Sequence, residues 1–212
     1  MFSWPSSRAA ECAVKAREIE VEMGTGDRKE RERGKRERRI TAVARSLAEQ
    51  GGWEAVTIRR LADEIEYSQP VIYSHFESRD AIIASVAVEG FRELAAVLRC
   101  AATDTGDPGA ALRRVATAYL AFSREHPAVY AAMFTMPTIL HFAQDDTKPE
   151  LRDAFATLAS VVRRATTSDV EDVTETFWAM LHGLSELERS GRIRRGARDK
   201  RVSLAINRLF ER

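Results

Sequence analysis

TIRRLADEIEYSQPVIYSHF, residues Thr57–Phe76, holds two short apolar-striped segments joined by a polar turn, and the rest of the chain is read outward from it. In the first segment Ile58, Leu61, Ala62 and Ile65 stand at i, i+3, i+4 and i+7, one buried stripe on a 3.6-residue period. Ala62 is small where a second helix must come close. Ser68 is a natural N-cap, and Pro70 falls in the first turn of the second segment, where a missing backbone N–H costs little. A second helix is therefore predicted from Gln69 onward. Ile72 and Phe76, four residues apart, face inward and leave Gln69, Val71, Tyr73, Ser74 and His75 on the outer face and the far end. The pair is a helix-turn-helix, and a second helix carrying such groups suits a DNA major groove.

The same residues resemble the TetR family of bacterial one-component transcriptional regulators, and the resemblance runs from Arg36 to Leu94. It rests on IRRLADEI, on the S-x-P-x-IYSHF run and on ESRDAI just after it. Family members typically carry an Ala-Gly-Val turn, then S-x-G-x-L/I-Y-x-H-F and an S-K-E segment. This chain keeps Ser68, Ile72, Tyr73, His75, Phe76 and Ser78. It departs at Ile65, Glu66, Tyr67 and Pro70, and Arg79 and Asp80 replace lysine and glutamate. Glu66 occupies a turn position that favours φ > 0, cheap for glycine and costing ~1 kcal/mol or more for a residue with a Cβ. The departures bear on operator sequence and on the tilt of the second helix. The resemblance implies that Thr57, Tyr73, His75 and Arg79 meet phosphates and that Gln69, Val71 and Ser74 approach base edges, with Arg59 also among the DNA-binding residues. Thr57 and Ser78 are expected to cap helices, whose free N–H groups and dipole favour an anionic oxygen. Gln69 can pair with adenine and the Val71 methyls can pack on a thymine methyl.

With 212 residues, 44% hydrophobic and 31% charged, the chain is long enough for a small domain plus a larger one. Cys12 and Cys100 make neither a C-x-x-C pair nor a metal spacing, which leaves no basis for a disulfide framework or a zinc site. No apolar run is long enough to span a membrane, and the N-terminus carries charges where a secretory signal needs an apolar core. A cytoplasmic location is expected, with no cofactor and no membrane partner. Met23 reads as an alternative start.

The net charge is only +1, yet Arg28–Arg39, RKERERGKRERR, holds eight basic residues against three acidic ones, a local +5. It leads into a stripe of Ile40, Val43, Ala44 and Leu47 that ends at Gly51-Gly52. Two readings stand side by side: an arm along DNA, where each neutralised phosphate steepens the log–log salt dependence by about 0.9, or a solvated, flexible lead-in.

The expected organisation is an N-terminal extension over 1–34, disordered or partly helical, a three-helix helix-turn-helix domain over 35–82, and an all-helical effector-binding and dimerisation domain over 83–212. Beyond Ser78 the chain reads as a succession of helices: one through about Ala102, then Ala110–Arg124, Pro127–Phe134, Glu150–Ala165, Asp169–Ser190 and Asp199–Phe210. The cluster Asp104–Gly109 is a turn, and 136–147 is a loop. No strand-like alternation appears, so the fold is expected to be all-α.

The last two helices carry apolar stripes, Val173, Phe177, Met180, Leu181 and Leu184 on one and Val202, Ala205, Ile206 and Leu209 on the other, and are expected to form a homodimer interface. Trp178, His182 and Gly183 make a W-x-x-x-H-G segment similar to the Trp-His-Gly subgroup of TetR-like C-terminal domains. The family resemblance implies an effector pocket, with Phe122, Tyr130, Met133, Phe134, Phe155, Trp178 and His182 as lining candidates, and these suit a small apolar or amphipathic effector. For each of them the core reading outweighs the ligand reading, since an aromatic stripe in a helical domain is usually core.

A competing reading, an all-α enzyme, would draw on His126, on His141 with Asp145 and Asp146, or on His182 with Glu186. The last pair stands i, i+4 on a helix but lacks a third ligand. A nonspecific basic DNA coat would need a chain-wide basic excess, and residues 93–212 hold 17 basic against 16 acidic. The reading favoured is a dimeric, double-stranded-DNA-binding regulator, a repressor, on a palindromic operator.

Overall fold

The computed structural model describes residues 7–102, 106–141, 144–194 and 196–210, of residues 7–27 the backbone only. These are all-helical: α1 (Ser7–Gly51), α2 (Ile58–Ile65), α3 (Gln69–Tyr73), α4 (Arg79–Ala101), α5 (Pro108–Glu125), α6 (Pro127–Phe134), α7 (Pro149–Val162), α8 (Val170–Arg189) and α9 (Arg198–Phe210), with one 3-10 turn at Trp53–Ala55 between α1 and α2. The helices of the second half fall within a few residues of their expected bounds. No helix is long and apolar enough to cross a membrane among the described residues.

The N-terminal extension over 1–34 is expected to be disordered or partly helical. Helix begins at Ser7, and the basic stretch Arg28–Arg39 is continuous with the amphipathic segment after it. Within that stretch Arg33 pairs with Glu37 at 2.8 Å and Lys35 with Glu32 at 2.9 Å. Such i,i+4 and i,i+3 pairs each add a few tenths of a kcal/mol to an exposed helix, which favours a rigid basic rod over a flexible lead-in here. The stop works as the dipeptide implies: α1 ends at Gly51, and Gly52 takes φ 74° with its N–H on the Ala48 carbonyl.

In the first half, α1, α2 and α3 close around Ile40, Ala44, Leu47, Leu61, Ile65 and Ile72, each at most 4% exposed. Thr57 caps α2, its hydroxyl accepting from the Arg60 N–H, and Ser78 caps α4 through the Ala81 N–H. Ser68 stands in the N-cap position of α3, yet its hydroxyl makes no capping bond. Glu66 takes the left-handed conformation, φ 58° and ψ 38°, with its N–H on the Ala62 carbonyl. Because only the backbone is used there, Glu66→Gly should stabilise the protein by ~0.5–1 kcal/mol, the left-handed penalty less glycine's unfolded-state entropy; urea denaturation of the two proteins measures it.

α4 serves both halves. The sequence-derived boundary at 82/83 falls inside it, so helix rather than a linker joins the two regions. Its inner face, Ile83, Val86, Ala87, Phe91, Leu94 and Leu98, is buried along its whole length. At Gly90 α6 crosses it closely: a Cβ there would lie 2.5 Å from Val129 Cγ1 and 2.7 Å from Met133 Sδ. The N-terminus of α6 is in turn held by α1 and the 3-10 turn. Glu49 accepts from the Ala128 and Val129 N–H groups at 3.2 Å each, and the Trp53 indole donates to the Ala128 carbonyl at 2.8 Å. Arg45 of α1 pairs with Glu93 of α4 at 2.5 Å.

Candidate functional site: a recognition helix and a buried cavity

The outer face of α3 comes first. Ile72 is fully buried and fixes the helix to its neighbours, so the other residues of this short element point away from the core. Gln69 and Ser74 are exposed, Val71 is half-buried, and Tyr73 is 53% exposed, unusual for so large an aromatic ring without a partner. The Ser74 hydroxyl donates to the Val71 carbonyl at 2.7 Å. Thr57, Arg59 and Arg60 are exposed at the start of α2.

Two residues expected at phosphates sit elsewhere. Arg79 turns inward: its Nε donates to the Val56 carbonyl at 2.8 Å and its Nη2 to the Trp53 carbonyl at 2.5 Å. It thereby ties the start of α4 to the turn before α2, satisfying carbonyls that α2 cannot. The His75 side chain is only 7% exposed, and its Nδ1 lies 3.5 Å from Glu37 Oε1. Arg39, two residues along α1 from Glu37, stacks its guanidinium over the Tyr67 ring at 5.5 Å. The basic stretch of α1 is thus packed beside the residues that flank α3, Tyr67 in the turn before it and His75 just after it. Sequence pattern missed this because the i, i+4 register of Arg39 and its neighbours says nothing of what lies across from them.

The second feature is a cavity of about 260 Å³ in the C-terminal half. Phe91, Leu94 and Leu98 of α4, Tyr119 of α5, Phe134 of α6, Leu151, Ala154, Phe155 and Leu158 of α7, and Trp178 of α8 form its apolar wall. Gln144, Thr147, Arg152, Glu171 and Glu175 supply its polar rim. Of the expected lining residues, Phe134, Phe155 and Trp178 are there. Phe122, Tyr130, Met133 and His182 are not: Phe122, Tyr130 and Met133 are at most 3% exposed and belong to the core, with Met133 filling the crossing above Gly90. Tyr119, Phe91, Glu171 and Glu175 were missed as lining, although Glu171 and Glu175 share one face of α8 with the expected Trp178 at i, i+4, i+7 spacing.

Tyr130 and His182 nevertheless connect to the cavity through a hydrogen-bonded row. The Trp178 indole donates to the Tyr119 hydroxyl at 3.1 Å, Tyr119 and Tyr130 hydroxyls meet at 2.9 Å, and the Tyr130 hydroxyl lies 2.7 Å from His182 Nδ1. An indole only donates, so with His182 as the Nε2–H tautomer the row runs in one direction, Trp178 to Tyr119 to Tyr130 to the accepting Nδ1. Burial pushes the Tyr130 phenol up to about 12 and Tyr119 well above its ordinary value, which keeps both hydroxyls protonated. Burial also lowers the His182 pKa, opposed in part by Glu186. A depressed imidazole pKa favours the neutral form in the folded protein, so this contribution is present above the ordinary value of 6.5 and is lost as pH falls through the folded value. Protonating Nδ1 would also place a donor at each end of the row, so that the two hydroxyls between them no longer have an acceptor to end on. His182→Gln should therefore flatten the fall in thermal stability between about pH 7 and pH 5; scanning calorimetry of both proteins across that window reads it, and parallel curves would contradict it.

The residues expected at a dimer interface divide in two. Phe177 and Leu181 of α8 and Val202 and Ile206 of α9 are at most 3% exposed, buried within this chain's own core, with Phe177 edge-on to Phe210 at 5.7 Å. They have no surface left for a partner. Val173, Met180, Leu184, Ala205 and Leu209 are half-buried, while Leu187 and Leu204, not anticipated, are 41% and 61% exposed. Met180, Gly183, Leu184 and Leu187 share the outer face of α8, and a Cβ at Gly183 would meet nothing within 4 Å.

Among the described residues no three His, Cys, Asp or Glu side chains converge as metal ligands. His141 and Asp146 do pair, at 2.5 Å, on the exposed loop before α7.

Comparison with known proteins agrees with this architecture. Residues 40–86 match the model of bacterial regulatory proteins of the tetR family, and residues 112–209 match the tetracyclin repressor-like C-terminal domain, about two-thirds of the chain between them. An uncharacterized HTH-type transcriptional regulator of Mycobacterium tuberculosis is 27% identical over 158 residues, which cover 72% of this chain and 69% of that protein. In fold, a protein of unknown function from Rhodococcus sp. RHA1 superposes with a TM-score of 0.68 at 23% identity, over 82% of this chain and 92% of that one. The TetR family regulator PfmR of Thermus thermophilus does so with a TM-score of 0.56 at 21% identity, over 81% and 96%.

Proposed function

From the premise that this chain belongs to the TetR family of bacterial transcriptional regulators, we propose that it is a repressor that binds a two-fold-symmetric DNA operator as a homodimer and is released by a small apolar or amphipathic effector. Members of the family are not enzymes; they are generally ligand-responsive DNA-binding repressors that form dimers. The observation that carries the DNA reading is α3: a helix pinned by buried Ile72 that leaves Gln69, Tyr73 and Ser74 open to solvent.

On this reading Gln69, Val71 and Ser74 meet base edges, and Tyr73, Thr57 and Arg59 meet the backbone. His75 and Arg79 hold the reading surface in place from behind. The exposed basic residues of α1 add a sequence-independent share of the affinity along the flanking phosphates. Gln69→Ala should then relax preference at one base-pair position by about 1–3 kcal/mol, while Arg36→Ala should weaken all duplexes alike and reduce the salt slope by about one phosphate. Anisotropy titrations on an operator and its single-base variants separate the two; identical behaviour of both variants would sink the assignment of roles.

The dimer is assigned to the outer face of α8 with Met180, Leu184 and Leu187, joined by Leu204 of α9, where Gly183 lets a second helix approach closely. A C2 pairing there would hold two α3 helices about one DNA turn, roughly 34–36 Å, apart. The effector is assigned to the cavity beneath α4, α7 and α8. Trp178, His182 and Gly183 support placing the C-terminal half near the Trp-His-Gly subgroup, because two of the three anchor the hydrogen-bonded row beside that cavity. A regulator of this kind works where the chromosome is, which supports a cytoplasmic location.

A further inference from the structure

We infer that the cavity between α4, α7 and α8 takes an amphipathic organic cation, its apolar body against the aromatic wall and its positive head at Glu171 and Glu175. The inference rests on the effector reading and narrows it to a charge class.

The register of α8 carries it. Glu171, Glu175 and Trp178 stand at i, i+4 and i+7, so two carboxylates lie one turn apart on the helix face whose next turn presents an indole to the cavity. Neither carboxylate has a cation within 4 Å among the described residues, whereas Glu93, Glu150, Glu186 and Glu188 are all paired. The one cation on the rim among the described residues, Arg152, is tied to backbone carbonyls at the rim itself: its guanidinium donates to the Gln144 carbonyl at 3.3 Å and to the Asp145 carbonyl. The rim thus presents two carboxylates against one engaged guanidinium. Inside, Phe91, Phe134, Tyr119 and Trp178 supply π faces and edges, and Phe91 meets Phe134 edge-on at 5.2 Å. Aromatic faces beside free carboxylates attract an organic cation twice over, through the ring quadrupole and through charge. They repel an anion and are indifferent to the charge-bearing end of a neutral alcohol.

Three probes with one body test this: 4-phenylbutyltrimethylammonium, 4-phenylbutanol and 4-phenylbutyrate, titrated into the full chain by calorimetry. The indole N–H signal of Trp178, identified by its loss in Trp178→Phe, reports occupancy of the cavity by NMR. The expected result is that the ammonium binds at least tenfold more tightly than either other probe. In the Glu171→Gln/Glu175→Gln double variant that advantage over the alcohol should vanish while the alcohol's own Kd stays unchanged. If the alcohol or the carboxylate shifts the Trp178 signal and binds as tightly as the ammonium, the charge class is overturned and the cavity remains the effector site. If no probe moves the Trp178 signal, both the charge class and the assignment of this cavity fail.

Discussion

Gly90→Val should lower stability by about 3 kcal/mol, near the upper end of what overpacking a core costs. The valine Cβ would arrive 2.5 Å from Val129 Cγ1 and 2.7 Å from Met133 Sδ. The methionine can swing its thioether aside. Val129 cannot yield as easily: it is β-branched, with one strongly preferred rotamer in a helix, and fully buried. The helices must therefore separate, and α6 is not free to follow, because its first turn is fastened to Glu49 and Trp53. For a chain of this length the loss corresponds to a fall in melting temperature of roughly 6–12 °C. Thermal unfolding followed by circular dichroism measures it, and a change within about 0.5 kcal/mol would mean that α4 and α6 do not cross as closely as described.

Glu49→Ala is the second large effect expected, at about 2–3 kcal/mol for two hydrogen bonds to a charged acceptor. α6 begins at Pro127, which has no N–H, so Ala128 and Val129 are the first donors of that helix, and its N-cap residue His126 provides no side-chain acceptor. Glu49 supplies both acceptors from another helix, and its charge also suits the positive end of the α6 dipole. Removing it strands two partly buried donors. Amide exchange at Ala128 and Val129 should accelerate while exchange in the middle of α4 changes far less. Glu49→Gln, which retains one acceptor oxygen, should recover part of the loss. Unchanged exchange at those two amides in Glu49→Ala would refute the anchoring role.

What could be read from the sequence obeys a physical division. Periodicity exposed helices because burial on one face is a local, repeating demand, and so Pro127–Phe134 was legible to the residue. The caps at Thr57 and Ser78 and the left-handed turn at Glu66 were legible because they use the chain's own neighbouring amides, whereas Ser68 holds the cap position without the capping bond. Across-space partners were not. Arg79 reads as a free cation until the Val56 and Trp53 carbonyls are seen beside it, and His75 reads as solvent-facing until Glu37 of α1 closes over it. The same limit explains the α8 and α9 stripes. An apolar residue such as Phe177 or Ile206 carries no mark to tell its own core from a partner's surface, and here the core takes both. The cavity was half legible for a related reason: aromatic residues were found, but which of them border a void depends on where the neighbouring helices stop, as Tyr119 shows against Tyr130. At the N-terminus, composition left disorder and partial helix open, whereas ion pairs one turn apart accompany a helix that runs unbroken into the reading domain.

The most direct test of the central claim is an anisotropy titration of the full chain against the intergenic DNA beside its own gene, with a scrambled duplex at the same salt. A specific dimeric repressor should prefer the native duplex by about a hundredfold or more, within the range by which specific DNA binding exceeds nonspecific binding, and should saturate at two chains per site. Equal, weak binding to both duplexes, with no defined stoichiometry, would contradict it.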